Sequence, residues 1–209
     1  MLGTLTALVL LGPFAFTAPR SKLSFTLPAD PAFCVILPEA KINPDGCSNE
    51  SVETLAQKRK PLQSVKSNVL VATADKGTVL VTVHEWPVAS RTTAAEEVGQ
   101  FFHKLTKRES DEGRPITWNP KAGPDTSGMK FPIVTYNDVW TVEAYGEHEL
   151  PDGTWHEARW LVLTTHAEVE ILVQSSAARD VVSIGKAIMA TLNVPEKLRV
   201  QLDGFEVKK

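Results

Sequence analysis

Cysteine is almost absent from this chain of 209 residues, which has two, Cys34 and Cys47. Two thiolates with neither a C-x-x-C pair nor partner histidine spacing fall short of the four ligands of a structural zinc site. Basic charge is short as well. Lys and Arg number 22 against 25 Asp and Glu, for a net charge of −3, whereas phosphate binding needs a basic surface or stripe. The one basic run, Lys58-Arg59-Lys60 before Pro61, offers little counterion release and reads as a solvated loop. No nucleic-acid partner is expected. Past residue 20 no apolar run is long enough for a spanning helix. H-E-x-x-H, G-x-S-x-G, phosphate-loop and dinucleotide fingerprints are missing, and no internal repeat appears. What is present suits one domain with a real core: 43% hydrophobic and 22% charged residues argue against wholesale disorder.

The opening MLGTLTALVLLGPFAFTA carries no charged side chain, and Leu5 to Leu11 is strongly apolar. Residues 1–20 therefore read as a signal peptide or a retained N-terminal anchor, with membrane association through residues 1–18. Three features depart from the usual signal: no Lys or Arg precedes the apolar run, Phe16 is bulky near the cut, and Pro19 follows Ala18. No cysteine follows, which excludes a lipoprotein anchor. The expected location is periplasmic or extracellular, with residues 21–209 forming a single domain. In an oxidising compartment Cys34 and Cys47 are candidates for a disulfide, worth roughly 3 kcal/mol on the chain-entropy model. The alternative is that Cys34, inside Phe33-Cys34-Val35-Ile36-Leu37, is a small buried residue.

Alternation in Leu23-Ser24-Phe25-Thr26-Leu27 predicts a half-buried strand, and Phe33 to Leu37 is a second apolar run. Residues 40–63 form an irregular insert punctuated by Pro44, Gly46 and Pro61. Strands over 69–74 and 78–83 flank Asp75-Lys76-Gly77, a three-residue loop ending in glycine. Residues 91–109 read as a helix, with Thr93 and Glu96 as a capping box and Val98, Phe101, Phe102 and Leu105 on one face. Gly113 to Gly128 is loop. A three-strand meander over 139–150, 155–165 and 168–175 leads to a last helix with Val181, Ile184, Ile188 and Leu192 on one stripe, ended by Pro195. The fold class is α+β, an antiparallel sheet of about six strands with helices on both faces.

Asp152-Gly153 is a strong two-residue turn signal. Counting outward sets Leu150 opposite Trp155, Glu149 opposite His156 and His148 opposite Glu157. Each histidine then faces a glutamate across the strands, and the two rings point to opposite sides of the sheet. They cannot share a metal ion. His84 at a strand end and His103 on the first helix read as exposed, and His166 lies at a turn. Glu168 and Glu170 read as a solvated carboxylate pair on an edge. No catalytic, metal or cofactor site is expected. Trp118, in its proline-flanked loop, and Trp155, beside the turn, are candidates for exposure. With His156 and Glu157 they form the candidate interaction surface.

An opening strand ending in Leu27-Pro28, a hairpin, a capped helix ending near Lys107, a meander and a last helix through Leu192 resemble the PsbP-like fold shared by DcrB-like envelope proteins. The resemblance covers residues 23 to about 205 in element order and pattern. It implies an antiparallel sheet between helices and a non-catalytic accessory role. The expected function is thus an exported binding module of the bacterial cell envelope that contacts an envelope protein. The alternatives are a small-ligand or lipid carrier and, further off, a hydrolase or metal-binding protein.

Overall fold

The computed structural model describes residues 13–36, 68–74, 78–88, 94–119, 133–150 and 153–200. Its strands are β1 (Phe14–Thr17), β2 (Ser24–Leu27), β3 (Cys34–Ile36), β4 (Asn68–Ala74), β5 (Val79–Pro87), β6 (Ile116–Trp118), β7 (Ile133–Tyr136), β8 (Val139–Leu150), β9 (Gly153–Leu163) and β10 (Ala167–Ser175). Two α-helices, α1 (Ala94–Asp111) and α2 (Ala178–Ala190), interrupt them. Eight strands form one antiparallel sheet in the order β3-β4-β5-β10-β9-β8-β6, with β7 also on β8. The sheet is therefore larger than the expected six strands. The unforeseen members β6 and β7 have three and four residues, too short to display a period. Ser24–Leu27 is a strand as expected, but it pairs with β1 in a separate two-stranded sheet.

Turn chemistry set the hairpin registers differently from the count. In the β8–β9 ladder Leu150 lies opposite Gly153, His148 opposite Trp155 and Glu147 opposite His156. The connection is thus residues 151–152, one position earlier than expected, which moves each cross-strand partner by two. Proline cannot donate to a ladder, which favours Pro151 in the connection rather than in a pair with Thr154. Gly153 opens β9 at φ +124°, a conformation side chains other than glycine rarely adopt. The slip is even, so every side chain keeps its expected face. Between β4 and β5 the closing pair is Ala74 and Val79, one residue beyond the expected three-residue loop. The insert at 40–63, Thr93 of the capping box and Cys47 lie outside the described residues. The expected Cys34–Cys47 bridge therefore lies outside the described residues as well.

Alternation gives the sheet two unlike faces. Toward α2 it presents Val79, Val81 and Val83 of β5, Val169, Ile171 and Val173 of β10, and Ala158, Trp160 and Val162 of β9, all buried. The last helix meets them with Val181, Ile184, Ile188 and Met189, the stripe expected from its sequence. A Cβ on Gly185 would lie 2.1 Å from Cη2 of Trp160, so this glycine lets the helix settle against the indole. Toward α1 the cluster is smaller: Val98, Phe102 and Leu105 pack on Ile116, Val142, Ala144, Leu161 and Leu163.

Phe14–Thr17, the end of the expected leader, is a strand of this fold, with Phe16 and Ala18 buried in the α2-side core. Glu85 ties the β1–β2 connection to the main sheet. Its buried carboxylate accepts from the backbone N–H of Arg20 (3.0 Å), and from the N–H and hydroxyl of Ser21 (2.7 Å each). On the other side of β2, Ser24 and Asn193 exchange two backbone bonds of 2.8 Å. The N-terminal ribbon is thereby clasped between β5 and the segment after α2.

Candidate functional site

On the α1 side, the positions of β9 and β10 that lie between apolar neighbours carry charge. Gln174 stands opposite Glu157, Leu172 opposite Arg159 and Glu170 opposite Leu161, so register brings the polar residues of both strands together. Glu157 is 1% exposed and Arg159 3%. The guanidinium of Arg159 donates to Glu157 through Nε (2.6 Å) and Nη2 (3.0 Å), and to Glu170 through Nη1 (2.5 Å). Glu157 Oε2 also accepts from Gln174 Nε2 (3.2 Å) and His148 Nε2 (2.9 Å). Four donors thus converge on one carboxylate. The other nitrogen of His148, Nδ1, donates to the backbone carbonyl of Arg114 at 3.0 Å. Both ring nitrogens of His148 are thus engaged, and Arg159 is shared between Glu157 and Glu170.

Burial alone would push the Glu157 carboxyl up, but the charge of Arg159 and the bond from His148 hold it well below the usual range. Burial works against the charge of Arg159 too, and the two carboxylates override it and raise its pKa. Where α1 ends, buried Glu109 accepts from Arg114 (2.9 Å) and Arg108 (2.9 Å). A continuous polar chain therefore runs from α1 through Arg114 to the sheet. Beside it, His84 stacks on Trp86 with centroids 5.5 Å apart, and Trp86 meets Phe101 of α1 edge-on at 5.9 Å. The row continues through Phe102 to Trp118. His84 Nε2 lies 3.9 Å from Glu170, beyond hydrogen-bond reach. Its Nδ1 and the Thr82 hydroxyl are buried with no hydrogen-bond partner among the described residues.

Two expectations are corrected here. His84 is 7% exposed and is not solvent-facing, because its strand lies inside the sheet under the first helix. Glu168 and Glu170 do not sit on an edge, since β10 pairs with β5 on one side and β9 on the other. His103 and His166 are exposed.

The four residues of the candidate surface do not form one surface. Trp155 is 9% exposed and Glu157 is enclosed. Trp118 is half-buried, with its indole N–H donating to the Thr106 hydroxyl at 3.1 Å. Those three point toward α1. His156 points the other way, half-buried, with Nδ1 3.6 Å from Glu147. The two rings occupy opposite faces, as read from the sequence; His148 reaches the expected Glu157 although it stands opposite Trp155, and His156 meets Glu147 in place of the expected Glu149.

His156 belongs to a part of the α2-side face that lies beyond the helix. Glu147 is the cross-strand partner of His156; Tyr145 and Glu143 follow on the same side of β8, and Tyr136 of β7 reaches Glu143, all four short of full burial. These positions alternate with the buried Val142, Ala144 and His148 of the same strand. The Tyr136 hydroxyl donates to Glu143 Oε2, which also accepts from the Trp160 indole at 2.8 Å. Tyr145 meets Trp160 edge-on at 6.2 Å. Burial raises the pKa of both phenols, and the charge of Glu143 raises it further. Sequence reading missed this grouping because Tyr136 comes from β7, a four-residue strand too short to display a period.

Among the described residues no three His, Cys, Asp or Glu side chains are placed to hold a metal ion, and no helix is long and apolar enough to cross a membrane. No protein-family profile matches the chain, and no curated protein matches it. A crystal structure from Bacteroides thetaiotaomicron VPI-5482 is similar over 88% of this chain at 9% identity, with a TM-score of 0.45. This chain spans about half the length of that one, 48%.

Proposed function

We propose that this protein is a non-catalytic binding module of the bacterial cell envelope, acting by contact with an envelope protein through the open face around Tyr145, Glu147 and His156. The observation that carries the reading is the enclosure of the most deeply buried set of ionisable groups among the described residues. Glu157, Arg159 and Glu170 are at most 4% exposed and are bonded to one another. A general acid or base must reach a substrate proton, and these groups are occupied by each other. The side chains left reachable are aromatic and mildly charged, which suits recognition.

Export rests on the uncharged opening segment. Because Phe16 and Ala18 are core residues, the exported form keeps them, and processing falls before Phe14 or does not occur. The PsbP-like reading rests on the order of elements, with helices on both faces of an antiparallel sheet. Affinity capture from the native envelope tests the proposal. Wild type should retain a partner that Tyr145→Ala/His156→Ala loses while its melting temperature holds. Equal capture by both proteins would refute the surface, and a mature N-terminus after Ala18 would refute the export form.

A further inference from the structure

The chain has two tyrosines, and both gather on one carboxylate. Glu143 accepts from Tyr136 and from Trp160, and its charge reaches Tyr145. Those donors are neutral. They satisfy lone pairs without cancelling charge, and among the described residues no Lys, Arg or His pairs with Glu143. Glu85 is likewise held by neutral donors, but it is buried at 4% exposure; several other carboxylates have a basic neighbour. Glu157 and Glu170 have Arg159, Glu109 has Arg108 and Arg114, and Glu147 has His156. Glu143 is half-buried, so water screens it less than a surface carboxylate, yet it stays reachable beside two half-exposed phenol rings. A carboxylate flanked by aromatic rings offers a cation two attractions at once, charge and the ring quadrupole. Trp160, 1% exposed and seated against Gly185, fixes the carboxylate from behind.

We propose that Glu143, Tyr136 and Tyr145 form a binding site for an organic ammonium group, either a quaternary ammonium or the amine of a lysine side chain. The site rests on the binding reading above and names what that face would recognise. A guanidinium fits less well, because its flat fork favours a carboxylate with both oxygens open, and Oε2 of Glu143 already holds two donors.

The test is titration of the full chain, followed through the Trp160 indole N–H resonance, with tetramethylammonium chloride, n-butylammonium chloride and uncharged tert-butanol. A saturable shift with either cation at roughly millimolar concentration is expected, and none with tert-butanol. The tighter cation tells a quaternary ammonium from a lysine-like amine. Glu143→Gln should weaken binding about tenfold or more. Tyr145→Leu, which leaves the bonds from Tyr136 and Trp160 to Glu143 in place, should weaken it several-fold with an unchanged circular dichroism spectrum. No saturable shift with either cation, equal response to tert-butanol, or undiminished affinity in Tyr145→Leu would overturn the site. Should the cations fail while Tyr145- and His156-dependent capture succeeds, the ammonium site falls and the binding module stands. The reverse pattern keeps the site and removes the protein partner.

Discussion

Strands β9 and β10 carry two different interiors on their two sides. Toward α2 lie Ala158, Trp160, Val162, Val169, Ile171 and Val173, an apolar surface held mainly by area. Toward α1 lie Glu157, Arg159, Glu170 and Gln174, equally sealed and joined by directional bonds. Apolar contacts tolerate small displacements, whereas a guanidinium shared by two carboxylates is satisfied in one register only. A buried ion set of this kind is weak evidence for net stability. We therefore read the α2 side as the main source of stability and the α1 side as what selects the pairing of β8, β9 and β10 and the seat of the first helix.

The strongest way to break that comparison is Arg159→Met. It leaves Glu157 and Glu170 buried without their shared cation, and the expected loss is about 3–5 kcal/mol by urea unfolding. Glu157→Leu/Arg159→Met/Glu170→Leu should recover most of it, since an apolar replacement of the whole set is often neutral or stabilising. A triple variant as unstable as the single one would mean that the charges themselves hold the fold.

On the apolar side the corresponding probe is Gly185→Ala, which forces a methyl into the Trp160 ring. Overpacking of this kind costs about 1–3 kcal/mol, and near-UV circular dichroism should report the displaced indole. No loss in the urea midpoint would mean the helix is free to shift.

A smaller effect sharpens the contrast through pH. Burial lowers the pKa of His84 from 6.5, opposed by Glu170 and reinforced by Arg159 and Arg108. The unfolded ring therefore takes up a proton that the folded ring refuses, and stability falls as pH drops below 6.5. Glu157, held below 4.5, contributes stability that is complete above that value and is lost as pH falls further. His84→Leu should flatten the first part of the acid loss and leave the second, which urea midpoints across the acid range will show. An unchanged profile would exclude His84 as its source.

The smallest effect is expected on the open face. His156→Ala removes a half-exposed polar contact with Glu147 and should change stability by no more than about 0.5 kcal/mol, in a double-mutant cycle with Glu147→Ala. A coupling several times larger would show that this face is structural after all.

Much of the frame was legible in the chain. The periods of Val98-Phe102-Leu105 and Val181-Ile184-Ile188 named the covered sides of both helices, because a helix that buries one stripe must repeat its apolar residues at that spacing. The proline-glycine region at 151–153 named the hairpin, though not its closing pair. The candidate site was far less legible. Trp155 beside a turn read as exposed and is buried; Glu157 and His84 read as surface groups and lie under α1. Nothing local distinguishes Glu157 from Glu149, since both are strand glutamates flanked by polar and apolar neighbours. The first is enclosed by a helix that precedes it by some 46 residues, and the second, at the strand tip, is exposed.

By itself the sequence determined which side chains share a face, because the pleat alternates whatever the strand pairs with. It thereby settled that His148 and His156 point apart, a conclusion that survived a register two residues from the one counted. Only the tertiary structure decided which charges are inside. Burial depends on what lies over a face, and here the cover comes from elements distant in the chain. That is why Glu157 and Arg159 are enclosed under the first helix, while Glu143 and the two tyrosines remain open just beyond the second.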